Sequence, residues 1–359
     1  MTSAAPEPTV FPAPTVASGL ESLNPSYFAL VMATGIVSTA SHLLGLPAVG
    51  FALLALNVVF YVTLWALYLA RVVRYRAAVI RDLTDHARAV GFFTIVAGTC
   101  VLGAQFVLVV HVPSVATGLW IIATILYVVL LYSVFVALTV RLGKPQFEHA
   151  INGTWLVAVV ATQGVALLGG NLWNQFPGFE REMLFFSLAL WLGGGMLYGW
   201  LISLIFYRSL FFEFSPADLS PPYWIDMGAM AISTLAGDVL IGNAAHDRLL
   251  TDLLPFLKGF TLVFWATGTW WIPMLLLLGY WRHVVRRFPL RYDPGFWGLV
   301  FPLGMYTVAT FKLASAIDAP FLLVVPRVFI WLALTAWTIV FIGLLRTIAT
   351  RASKFPRDG

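Results

Sequence analysis

The sequence predicts an all-α integral membrane protein: ten transmembrane helices, paired as five hairpins around a central axis, with the odd helices inner and the even helices outer. Three observations carry that prediction. Of the 359 residues, 60% are hydrophobic and 10% are charged, against about 25% charged in an average soluble protein. Long apolar runs recur from residue 27 to 348, each long enough to cross a bilayer as a helix. Both the loops and the runs alternate in character along the chain.

Taken in order, the runs fall at about 25–45, 48–70, 87–110, 115–140, 151–173, 183–207, 222–242, 253–281, 295–316 and 321–346. The loops after spans 2, 4, 6 and 8, with the C-terminal tail, hold 15 of the 21 basic residues, among them Arg71, Arg141, Arg208, Arg286 and Arg346. The opposite side holds only Arg181 and Arg248. Positively charged loops stay in the cytoplasm, so both termini are expected there. Arg88, Lys258, Lys312 and Arg327 fall within predicted spans. The net charge of +5 is spread over short loops between spans, which argues against a nucleic-acid partner. Cys100 is the single cysteine and lies in a span, so no intramolecular disulfide is available.

Residues 1–24 lack Lys and Arg and are rich in Pro, Ala, Ser and Thr. They read as a disordered cytoplasmic tail rather than a secretory signal peptide. Residues 25–346 form the ten-helix domain, and 347–359 a basic cytoplasmic tail.

The spans differ in a way that sorts them into two rings. The odd spans mix glycine with small polar residues: Thr34, Gly35 and Ser38 in span 1, Thr94 and Gly98 in span 3, Thr162 and Gly164 in span 5, Ser233 and Gly237 in span 7, Gly304 and Thr307 in span 9. Most even spans are bulkier, as in WIIATILYVVLLYSVFVAL of span 4; span 6, with Gly193, Gly194 and Gly195, is the exception. Glycine and hydroxyl residues permit close helix packing and interhelical hydrogen bonds. Large aliphatic and aromatic side chains suit lipid. Thr34, Gly35, Ser38, Thr94, Gly98, Thr162 and Ser233 are therefore candidates for a pore lining, although small residues at such positions also simply cement helices.

Span 9, GFWGLVFPLGMYTVATFKLASA, is the least like a lipid-facing helix. Pro302 lacks an N–H and leaves the carbonyl of Gly298 without its helical partner, which a membrane tolerates only where protein or water satisfies the freed group. At 100° per residue, Phe301, Met305, Val308 and Lys312 share one narrow face. That face is either a tightly packed interior with a snorkelling lysine or a pore lining with an aromatic plug, Pro302 and Met305 beside it, and a cation that attracts anions. Lys258 and Arg327 lie toward the same end; these cations either pair with Asp238 or Asp318 or, with Arg327 as a second candidate anion attractor, form a basic vestibule that concentrates anions, and snorkelling alone would satisfy Lys258.

No catalytic constellation stands out. The chain contains no GxxxxGK[ST], no HExxH and no cysteine pair, so neither a cofactor nor a metal is expected, and an enzyme is disfavoured. Asp226 and Asp238, both on span 7, are the acids well within spans, about 18 Å apart along a straight helix and too far for a carboxylate dyad. Asp226 is either a first-turn acid stabilised by the helix dipole or a proton site on an inward face with Met230, Ser233 and Gly237.

The stretches YFALVMATGIVS, GFFTIVAGTCVLGAQ, PPYWIDMGAMAISTLAG and WGLVFPLGMYTVATFKLA, in spans 1, 3, 7 and 9, together resemble the tellurite-resistance/dicarboxylate transporter family, which takes in malate permeases, sulfite efflux pumps and plant slow anion channels. The resemblance covers about residues 25–346. It implies five hairpins, a pore within each protomer, a homotrimer, and an occluding phenylalanine on helix 9, whose best match is Phe301. The substrate does not carry over, because members of that family move different anions; the reading is a multi-pass permease of the plasma (inner) membrane for small anions, with C4-dicarboxylates and oxyanions such as sulfite and tellurite as the first candidates. The rivals are a proton-coupled alternating-access carrier using Asp226, a membrane enzyme and a structural subunit.

Overall fold

The structure is a computed structural model, and it describes residues 16–352. Ten helices are long and apolar enough to cross a membrane: Pro25–Leu43, Pro47–Arg74, Ala89–Leu108, Pro113–Val140, Gly153–Asn171, Glu180–Phe211, Pro221–Gly242, Leu254–Val285, Pro294–Ala316 and Pro320–Thr350. They are numbered spans 1 to 10 below. The even spans start on Pro47, Pro113, Pro255 and Pro320, or on the acidic pair Glu180 and Glu182, all residues that suit a helix first turn.

Burial separates the two sets. In the odd spans 72–89% of the apolar window is buried inside the protein, in the even spans 17–33%. Each odd span packs against the even span that follows it, giving five hairpins, and the odd spans also pack in the cyclic order 1, 3, 5, 7, 9 and back to 1. The inner ring is therefore closed, and its helices run parallel. All five begin with a short 3₁₀ turn at the same end: Pro25–Phe28, Ala89–Phe92, Gly153–Leu156, Pro221–Trp224 and Pro294–Phe296. That end is the basic face.

A second cyclic pattern locks the rings together. Each outer span donates a side-chain hydrogen bond to the inner span of the next hairpin. Asn57 of span 2 donates to Gln105 Oε1 (2.7 Å), Trp120 of span 4 to the Val165 carbonyl (3.1 Å), Trp191 of span 6 to the Ser233 carbonyl (2.8 Å), Trp265 of span 8 to Thr310 Oγ1 (3.0 Å), and Trp337 of span 10 to Thr34 Oγ1 (3.0 Å). With no hydrophobic driving force between helices in lipid, such bonds and close packing are what fix helix against helix.

Two expectations change at the edges. Arg88 lies just before span 3 rather than inside it, where its guanidinium pairs with Asp82 (2.6 Å) beside Arg71 (2.7 Å); two arginines and a carboxylate are satisfied more cheaply at the basic face than in lipid. Within the stretch read as a disordered tail, Val16–Glu21 is helical, and the Glu21 carbonyl accepts from Arg71 at 2.8 Å. Residues 1–15 and 353–359 lie outside the described residues; residues 347–352 continue the last helix.

Candidate functional site: two cavities on the bundle axis

Two cavities lie within the inner ring, and each is lined by all five odd spans. The one nearer the basic face, about 30 Å³, is lined by Met32, Thr94, Val157, Ile225 and Phe301, among others. The outer one, about 60 Å³, is lined by Ile36, Ala104, Leu167, Leu235 and Met305, among others, with Asp238 and Lys312. Phe301 and Met305 are one helical turn apart, about 6 Å along the axis. Phe301, itself fully buried, thus stands where one cavity ends and the other begins. All four residues of the face read from the sequence, Phe301, Met305, Val308 and Lys312, line one cavity or the other.

The local sequence explains why the ring reaches the axis there. Pro302 directs its own ring sideways onto Gly228 of span 7, where a Cβ would lie 2.6 Å from Pro302 Cγ. Only a glycine permits that approach. A Cβ on Gly304 would lie 2.8 Å from Ile36 Cγ2 of span 1. Span 9 is therefore wedged between spans 7 and 1 by the backbone of one and the side chains of the other, which leaves its remaining face for the axis.

Most of the small polar residues proposed as pore lining point elsewhere. Thr34 accepts from Trp337, Ser38 donates to the Gly50 carbonyl (2.7 Å), and Thr162 donates to Tyr127 Oη (3.0 Å). Gly35 faces Asn57 and Val101, and Gly98 faces Phe28 and Val31. Ser233 turns its hydroxyl back to the Ala229 carbonyl (2.7 Å), and Pro302 meets Gly228. Thr94 and Met305 are the two of that set that line a cavity. The physical reason is competition: a hydroxyl in a low-dielectric interior is held by a nearby carbonyl or an outer-helix donor, so the axial walls are left largely apolar.

The charged candidates separate as well. Lys312 is half-buried on the outer cavity. Arg327 is exposed on outer span 10 and lines neither cavity, so it does not join Lys312. Asp226 sits in the first helical turn of span 7 with 1% exposure, and its Oδ1 has no hydrogen-bond partner among the described residues. Its neighbour Ile225 lines the basic-side cavity, but Asp226 does not. The face it was grouped with turns outward: Gly268 of span 8 abuts Met230, and Gly237 abuts Thr261 and Trp191.

Sequence reasoning missed the alignment of the inner helix starts. Five parallel helices place the positive ends of their dipoles around the basic-side cavity, a setting that favours anions. The recurring prolines at 25, 221 and 294 were the available signal. At the basic end of span 6, Arg208 is buried and ties three segments of that face together through the Glu148 carbonyl (2.6 Å), Tyr223 Oη (3.0 Å) and Asp218 (2.9 Å), the last in the loop between spans 6 and 7. Burial raises the Asp218 carboxyl, but hydrogen bonds from Ser215 and the Arg208 guanidinium outweigh it and hold the group below the usual carboxylate range.

Comparison with known proteins agrees with this architecture. The sequence profile of the family described as voltage-dependent anion channel matches residues 22–345. An uncharacterized membrane protein of Mycobacterium tuberculosis strain H37Rv is 41% identical over 157 residues, 44% of this chain and 79% of that protein. An uncharacterized transporter of Methanocaldococcus jannaschii is 24% identical over 299 residues, 82% of this chain and 85% of its own length. A sulfite efflux pump of Trichophyton rubrum is 20% identical over 347 residues, 90% of each chain.

Proposed function

The chain belongs to the voltage-dependent anion channel family, and from that premise we propose that it is a permease moving small anions along the axis of its inner helix ring, past Phe301. Family and relatives point to a transporter rather than an enzyme. The observation that carries the finer reading is the position of Phe301 between two axial cavities to which all five inner helices contribute. Five helix N-termini and the basic face draw anions toward one mouth. Apolar walls bind them weakly, and a channel needs an anion to enter and also to leave. The phenyl ring closes the path sterically and by excluding water.

The substrates in view are C4-dicarboxylates and oxyanions such as sulfite or tellurite; the relative named as a sulfite efflux pump supports the oxyanion side. The distribution of basic loops supports a cytoplasmic side for both termini, and the family resemblance supports a plasma-membrane homotrimer. A proton-coupled carrier has one observation in its favour, the buried orphan oxygen of Asp226. Asp226 lines neither cavity, which supports the uncoupled reading.

The test is electrical recording of the purified protein in planar bilayers, exchanging chloride, nitrate, sulfite and malate. Reversal potentials that track the anion gradients support anion permeation; silence with every anion, or cation selectivity, refutes it.

A further inference from the structure

The outer cavity carries two charges and no more. Its lining residues include one cation, Lys312 of span 9, and one carboxylate, Asp238 of span 7, a neighbouring helix in the ring. Both side chains are half-buried. Neither is in an ion pair or hydrogen bond among the described residues. The polar groups beside them are occupied: Asn171 Nδ2 donates to the Leu167 carbonyl (2.8 Å) and Thr39 donates to the Gly35 carbonyl (3.1 Å). The rest of the wall is aliphatic, with Val101, Leu108, Ile232 and Val308 typical.

An ion entering such a cavity meets two costs that scale differently. The loss of hydration grows with the square of its charge, whereas attraction to a fixed charge grows only in proportion. A lone lysine would repay a dianion twice as well as a monoanion. Here Asp238, a fixed negative charge on the same wall, opposes the field of Lys312 and reduces the attraction available to offset the fourfold larger hydration loss of a dianion.

Resting on the anion-transport reading above, we propose that Asp238 and Lys312 form an opposed pair that sets valence selectivity in the outer cavity, passing singly charged anions and excluding doubly charged ones. The substrate class is then monoanions: nitrate or halide, and the singly protonated forms of sulfite or a dicarboxylic acid.

The experiment is tracer flux of nitrate and sulfate through the full chain in liposomes at pH 8. The readout is the sulfate-to-nitrate ratio, which a purely structural defect does not move. Wild type is expected to favour nitrate. Asp238→Asn should raise the ratio at least tenfold, Lys312→Gln should lower it, and the Asp238→Asn, Lys312→Gln double variant should return it toward wild type. Asp238→Glu, which keeps the charge, should stay near wild type and checks that a shift in Asp238→Asn is not a folding defect. Wild type that passes sulfate as readily as nitrate overturns the proposal. So does an unchanged ratio in Asp238→Asn or, if that variant does not assemble, in Lys312→Gln. Wild type that passes neither anion overturns the anion-transport reading on which the proposal rests.

Discussion

Phe301→Ala is the most exposed prediction of the gate. The side chain is fully buried and lines the cavity of about 30 Å³, one helical turn from Met305 on the cavity of about 60 Å³, so its removal is expected to join the two. If the ring is the closing element, removing it should lower the permeation barrier by about 1.4 kcal/mol or more, a tenfold or greater rise in conductance. The truncation also carries a stability cost of about 3–5 kcal/mol, typical of a core phenylalanine. That is a large share of a domain's stability of about 5–15 kcal/mol, so conductance must be scored per properly assembled protein, by size-exclusion chromatography followed by bilayer recording. Phe296→Ala is the control. Phe296 is half-buried and lines a separate cavity with Trp224, Leu275 and Arg282, off the axis, and its loss should leave basal conductance unchanged. Assembled Phe301→Ala with unchanged or lower conductance would falsify the gate and leave Phe301 as a packing residue.

Four further outcomes are expected. Cysteines at the exposed positions Arg286 and Arg181 should label from opposite faces, the first from the cytoplasm, against a quiet background because Cys100 is buried; labelling of both from one face would refute the proposed topology. Gly228→Ala places a methyl 2.6 Å from a proline ring that has no rotamer to move to, and should lower stability by about 1–3 kcal/mol, read as a lower Tm in detergent. Asp226→Asn replaces a buried carboxylate whose Oδ1 has no partner and should leave stability equal or higher and the pH dependence of flux unaltered; loss of anion-driven proton uptake with intact assembly would assign it a coupling proton. Asp218 has a depressed folded-state pKa, so its contribution to stability is present above the unfolded value of about 3.9 and is lost as pH falls through the folded value. The Tm difference between wild type and Asp218→Asn should therefore be seen at pH 6 and shrink below about pH 3.9; a constant difference would show that Asp218 acts through packing.

The sequence by itself determined the membrane class, the ten spans and their alternation, because bilayer thickness and the cost of lipid-exposed polar groups act on each helix separately. It also determined the face of span 9, because Phe301, Met305, Val308 and Lys312 belong to one helix and helical periodicity alone relates them. Which way a threonine or glycine of the inner ring points was not legible. Thr34, Thr162 and Gly35 answer to Trp337, Tyr127 and Asn57, partners far away in sequence whose reach depends on how the outer helix seats between two inner ones. Lys312 and Arg327 looked alike along the chain, and burial separated them: one faces the axis, the other is exposed on an outer helix. That Asp238 and Lys312 line one cavity without forming an ion pair was likewise decided only when spans 7 and 9 became neighbours in a closed ring, since the charge an ion meets is set by all the helices around it at once.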